Sequence, residues 1–190
     1  MTSTRTGERK LQILQALAQM LEEPRREKIT TAALAARLSL SEAALYRHVA
    51  SKAQMFEGLI EFIETSVFGL VNRIAEHEES GLAQVKAMLM MLLSFAERNP
   101  GMTRVLTGDA LVNEDERLQE RMNRLYDRVE LAFRQSLRLA ATQGYGSEEE
   151  SRVRSAVLVA FVAGRWQRYA KSGFRMNLAA EMPAQMAILL

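Results

Sequence analysis

No cysteine occurs in the 190 residues. That excludes a disulfide framework, a thiolate metal site and a cysteine nucleophile, and it fits a reducing compartment. Histidine is almost as scarce: His48 and His77 fall in different helical segments. There is no Gly-rich phosphate loop, no His-Glu-x-x-His and no nucleophile elbow. Glu76-His77-Glu78-Glu79 carries metal-capable groups, but it reads better as the polar end of a helix. The expectation is a protein that is not an enzyme and uses no cofactor or metal. Long apolar runs are also missing. Nothing approaches the ~20 residues a membrane span needs, and Met1 to Lys10 lacks the apolar stretch of a signal peptide. The chain is therefore read as soluble and cytoplasmic, without membrane contact. With only three prolines and ten glycines, little interrupts long helices.

What is present is 48 % hydrophobic residues, enough for one ordinary core, or for a small module sharing its core with a larger body. Charge is unevenly spread. Residues 1–52 hold nine Lys/Arg and five Glu, a net of +4, whereas the remainder nets −2. A basic module on a slightly acidic body points to a polyanion at one end only.

Apolar residues recur at three-and-four spacing almost throughout, with no sustained alternation, which predicts an all-α fold of about nine helices. The spans read are 8–22, 31–37, 42–48, 52–77, 82–97, 101–107, 113–141, 148–172 and 178–189. Thr30 or Thr31, Ser41 and Ser51 suit N-caps. Ser147 with Glu150 looks like a capping box. Gly81 marks a break, Asn99-Pro100-Gly101 a turn, and Glu22 to Lys28 a charged loop. The economical layout is a helix-turn-helix module, 1–51, joined by one long helix to a helical body, 52–190.

The informative stretch is Ile29 to His48. Ala35 and Ala36 let two helices cross closely, Leu34, Leu38, Leu40 and Leu45 close a small core, and a tight turn at Ser39 separates the helices. The second helix opens Ser41-Glu42-Ala43-Ala44, short side chains that fit a major groove about 12 Å wide. Thr30 and Thr31 are placed to offer donors to a phosphate. Tyr46 is expected on the backbone or a thymine methyl, and His48 on a phosphate. Lys52 would clamp a phosphate, and Arg9 and Lys10 would reach the backbone from the first helix. Base readout then falls to the exposed members of Ser41 to Arg47.

The string Tyr46-Arg-His-Val-Ala-Ser-Lys52 resembles the end of the TetR-family DNA-binding domain, where Tyr-x-His-Phe-x-x-Lys is typical; Val49 stands in place of the Phe. Ile29-Thr-Thr, Ser41 to His48, Leu59 to Glu64 and Glu97-Arg-Asn-Pro-Gly-Met-Thr-Arg-Val-Leu-Thr-Gly108 are similar, within that family, to the nucleoid occlusion factors. So are Arg117-Leu-Gln and Asn123-Arg-Leu. The resemblance covers residues 10–140 well and the C-terminal third loosely. It implies a TetR-like fold with a helical dimerisation domain, a homodimer on palindromic chromosomal double-stranded DNA, and location at the nucleoid. It also implies that the DNA-bound dimer antagonises polymers of the division protein FtsZ, with no small-molecule effector. Carried over, the FtsZ-facing residues are Phe62, Met91, Arg98 and Asn99. Leu70 and Ser94 stand where the best-known member has an arginine and a glycine, so Arg73, one turn beyond Leu70, would supply the charge. In that family the last two helices form a four-helix dimer interface, for which Leu158, Phe161 and Trp166 are suited.

Taken by themselves, several of these residues keep other readings. Phe62 lies in an apolar stripe and suits core packing. Arg98 and Asn99 suit a helix C-terminus. The methionines at 88–91 suit core filling. Trp166, with Arg165, Arg168 and Tyr169, suits a cation–π patch. The alternative function is a ligand-responsive TetR-family repressor, which needs an apolar cavity with a few polar groups.

Overall fold

The computed structural model describes residues 2–23 and 29–190. Pro24, Arg25, Arg26 and Lys28, read as a charged loop, lie outside the described residues. Nine α-helices and no strand are found among those described: α1 Thr2–Glu22, α2 Thr31–Arg37, α3 Glu42–Tyr46, α4 Lys52–His77, α5 Gly81–Arg98, α6 Pro100–Leu106, α7 Glu116–Thr142, α8 Glu148–Lys171 and α9 Met182–Leu189.

Serine and threonine set the starts. The Thr30 hydroxyl accepts from the Ala33 N–H, Ser41 from Ala44, Ser51 from Gln54 and Ser80 from Ala83. Ser147 and Glu150 form a reciprocal capping box. Four boundaries differ from the sequence reading by two residues or more. The first helix begins six residues early, at Thr2. The third ends at Tyr46 rather than His48. The seventh begins at Glu116, because Asn113 takes φ 62° and the Asp115 carboxylate then caps the Arg117 N–H. The last begins at Met182, after Glu181 at φ 60°. A side chain with positive φ cannot continue a right-handed helix, so each of the last two stops is local.

A single apolar core runs through head and body. Ile13 and Leu17 of α1, Leu34 of α2 and Leu45 of α3 pack at one end. Met55, Phe56, Leu59, Ile60, Ile63 and Val67 of α4 carry the core onward. In the body α7 packs on α5 and α8, filled by Leu92, Leu125, Phe133, Leu158 and Trp166. Arg165, buried on α8, donates from Nη2 to the Leu178 carbonyl at 2.5 Å, and Glu97 Oε1 accepts the Leu178 N–H at 2.5 Å. These bonds hold the segment between α8 and α9. Burial lowers the Arg165 guanidinium from its usual pKa.

Two glycines mark backbone contacts. A Cβ on Gly81 would lie 2.3 Å from both the Ala140 nitrogen and the Ser136 oxygen, so this residue, read as a break, instead opens α5 directly against α7. A Cβ on Gly101 would lie 2.0 Å from the Ala18 oxygen, which seats α6 on α1 with no side chain between them. Gly101→Ala is therefore expected to cost about 1–3 kcal/mol, several degrees in Tm at this chain length. Gly69→Ala, on open helix surface, should be neutral or slightly stabilising. Thermal melts followed by circular dichroism compare the two; equal melting temperatures would contradict the backbone contact.

Candidate nucleic-acid interface

The turn between α2 and α3 is built on Ser39 at φ 55° and on the Leu40 N–H donating to the Ala35 carbonyl at 2.9 Å. Leu34, Ala35 and Leu45 are buried beneath it, and Val49 is also buried, so valine fills the position the family pattern gives to phenylalanine. With Leu45 fixed inward, α3 turns its other face out. Ser41, Glu42, Ala43, Tyr46 and Arg47 are exposed, and Ala44 is half-buried. The helix is thus presented at the surface with a flat front of alanines, the shape a groove-entering helix requires.

The polar groups around this face are partly committed. Thr30 uses its oxygen to cap α2. Thr31 donates its hydroxyl proton to Glu42 Oε2 at 2.6 Å, tying the start of α2 to the start of α3. His48 is half-buried, and its Nδ1 is enclosed without a hydrogen-bond partner, which leaves Nε2 for any phosphate. Arg9 donates to Gln12 Oε1 at 2.8 Å, and Arg9 and Lys10 are both half-buried on α1.

Lys52 differs from its expected role. Its ammonium lies 2.5 Å from Glu114 Oε1, with side-chain exposures of 21 % and 11 %, and 5.7 Å from the Phe56 ring centre. It links the start of α4 to the loop before α7. A phosphate would have to compete with Glu114 for this cation. No local sequence signal marks the partner, which stands 62 positions away. The hollow at this junction, about 430 Å³, is also lined by Phe56, Arg104 and Asp109.

A second surface lies along α4 and α5. Phe62 is 45 % exposed, so it is not a core residue. Arg73, eleven residues on and therefore on the same face, is exposed and donates to the Gly69 carbonyl at 3.3 Å. Leu70 is half-buried between them. Met91 is half-buried, whereas Met88 is in the core. Arg98, seven residues beyond Met91, is exposed and unpaired among the described residues. The Asn99 amide donates to the Phe95 carbonyl at 2.8 Å, so this residue is engaged in ending α5. The opposite side of α4 is locked to α7: Arg121 donates to Glu64 Oε2 at 2.6 Å, and Arg128 lies over the Phe68 ring at 3.6 Å. The Glu64 carboxylate holds the Arg121 guanidinium above its usual pKa.

The expected dimer residues need correction. Leu158 and Trp166 are buried within the single chain, at 0 % and 1 % exposure. The Trp166 indole donates to the Leu92 carbonyl at 3.2 Å, and Tyr126 stands beside its ring. Neither side chain is open to a second subunit; Phe161 is half-buried. An uncovered apolar face lies on the other side of α8. Val153, Val157, Ala160 and Gly164 recur at four, three and four residues, and all are exposed. A helix apolar on two faces buries both; the inner face of α8 is covered by α7, and the outer face has no cover in one chain. Ala184, Ala187 and Ile188 of α9 are likewise exposed.

Comparison with known proteins places this geometry. Residues 79–190 match the family model described as SlmA-like, tetracyclin repressor-like C-terminal domain. The chain is 49 % identical to the nucleoid occlusion factor SlmA of Aliivibrio fischeri over 191 aligned residues, covering 100 % of this chain and 97 % of the relative. It is 45 % identical to SlmA of a Marinomonas species, covering 98 % and 95 %. The solved TetR-family transcriptional regulator PfmR of Thermus thermophilus superposes with a TM-score of 0.76 at 19 % identity, covering 94 % and 96 %; at that identity the likeness is one of fold.

Two expectations follow. Glu114→Gln should free Lys52 and tighten duplex binding several-fold, while Lys52→Ala should flatten the log–log salt slope by about 0.9, one phosphate contact. Anisotropy titrations over a salt series measure both, and a slope unmoved in Lys52→Ala would remove this residue from the interface. Separately, the uncovered face of α8 is expected to join two copies of the chain: analytical ultracentrifugation should give a dimer for the wild type and a monomer for Val157→Glu, with the chain still folded, and equal masses for the two would remove this face from self-association.

Proposed function

The chain belongs to the SlmA family of nucleoid occlusion factors, tetracyclin-repressor-like in fold, and from that membership we propose that it is itself a nucleoid occlusion factor. In this reading it is a homodimer that binds palindromic chromosomal sites through the module 1–51 and, when DNA-bound, antagonises FtsZ polymerisation through the body 52–190, so that no septum forms over the chromosome. The observation that carries the DNA half is the outward α3, with Leu45 buried behind it and Glu42, Ala43, Tyr46 and Arg47 exposed.

Phosphate contacts set the register: the Thr30 hydroxyl and the Thr31 backbone N–H at the start of α2, Arg9 and Lys10 from α1, His48 just beyond α3, and Lys52 once released from Glu114. Base contacts come from the α3 face. A two-fold dimer through the outer faces of α8 and α9 would present two such helices to half-sites one helical turn apart. The FtsZ-facing surface is Phe62 and Arg73 on α4 with Met91 and Arg98 on α5 and Asn99 at its C-cap. Exposure of Phe62, Arg73 and Arg98 supports it. A protein of this kind acts in the cytoplasm, at the nucleoid.

FtsZ assembly followed by light scattering, with the purified protein and with or without its cognate duplex, tests the reading. Assembly should fall only when protein and duplex are both present; assembly unaffected by the pair would exclude it and favour a ligand-responsive repressor. Arg98→Asp should abolish the antagonism while leaving duplex affinity within about two-fold, because a single exposed charge outside the module contributes little to the fold. Parallel loss of both activities would mean that Arg98 does not serve a separate surface.

A further inference from the structure

Glu42 is the one acidic residue of α3, and it stands on the exposed face of that helix. Against duplex DNA a carboxylate is repelled by the phosphates on either side, so its presence there costs affinity unless it accepts hydrogen bonds. One of its two oxygens is already supplied. Thr31 Oγ1 donates to Oε2 at 2.6 Å and holds the carboxylate in a fixed direction across the turn. Oε1 has no protein donor among the described residues. Neighbouring Ala43 and Ala44 are too short to cover it, and Tyr46, one turn on, shares its face.

The donors on base edges in the major groove are the N4 amino group of cytosine and the N6 amino group of adenine. Adenine sets its N7 acceptor beside that amino group, and N7 would repel a carboxylate. Cytosine sets a C–H there. Resting on the reading of α3 as a major-groove helix, we propose that Glu42 is the specificity-determining residue for a cytosine in each half-site, accepting from its N4 amino group through Oε1 while Thr31 braces Oε2.

A purely structural brace between α2 and α3 would make the same Thr31 bond. Glu42→Gln separates the two roles. The Gln oxygen still accepts from Thr31, so the brace survives. The free group, however, becomes an amide N–H donor, which calls for a base acceptor: guanine O6 or N7, or thymine O4.

The test is selection from a pool of randomised duplexes by the full-length wild-type protein and by Glu42→Gln. The expected result is one position per half-site where the wild type takes cytosine and the variant takes guanine or thymine, the rest of the site being shared. A second measurement needs no variant. Wild-type protein is titrated against its selected duplex with that cytosine replaced by pyrimidin-2-one, which lacks the amino group. Binding should weaken about five- to a hundred-fold, the range of one good base contact. Identical sites selected by both proteins, or undiminished binding to the pyrimidin-2-one duplex, overturns the proposal while leaving sequence-specific DNA binding standing. A wild-type protein that enriches no sequence removes both.

Discussion

Burial of one stripe along α4 holds the molecule together. Met55, Phe56, Leu59, Ile60, Ile63 and Val67 leave water on this helix. At ~1.5–3 kcal/mol for each fully buried large apolar side chain, the stripe is a main driving force for joining module to body. The helix packs against α1 of the module and against α5 and α7 of the body. A three-helix module of some fifty residues has little interior of its own; here it completes its core on a helix that belongs equally to the body. The module therefore inherits the stability of the larger unit, and on the outer side of α3, among the described residues, only Glu42 is tied, by Thr31.

Polar contacts then fix how these helices meet. Glu57 and Glu64 on α4 face Arg117 and Arg121 on α7, pairing two helices whose buried stripes alone would allow sliding by a turn. Lys52 and Glu114 add a further link near the module. These are partly exposed pairs and contribute modestly to stability; their value lies in register. On the remaining faces of α4 and α5, Phe62, Arg73 and Arg98 are left at the surface, where a partner would meet them. One helix thus carries the internal joint on one side and a candidate docking surface on another.

Most of the helical layout was legible in the sequence because three-and-four periodicity and Ser/Thr caps are local signals. α2, α4 and α8 begin where their capping residues stand, and α3 follows Ser41. The fold family was legible for a different reason, the spacing of Tyr46, His48 and Lys52, and the outward turn of α3 followed from the apolar spacing of Leu34, Leu38 and Leu45. What escaped depended on contacts across the chain. Nothing near Lys52 marks Glu114 as its partner. Leu158 and Trp166 look like interface residues only until it is known which side of α8 meets α7; the true outer face carries smaller residues, Val153, Val157 and Ala160, that attract less notice. Asn113 and Glu181 delay the starts of α7 and α9 through backbone conformations that residue type alone does not announce.

The seam at Gly101, where α6 touches α1 backbone to backbone, leaves no slack between module and body. Together with an unbroken α4 of 26 residues, about 39 Å at 1.5 Å per residue, it would make each subunit of the proposed dimer one arm of a caliper. In that dimer the gap between the jaws would be set by the angle at which two copies of α8 and α9 cross, outside the DNA-reading module. Substitutions at that crossing would retune the distance between half-sites and leave the letters within each half-site untouched, so that spacing and spelling of the binding site would evolve through separate parts of the chain.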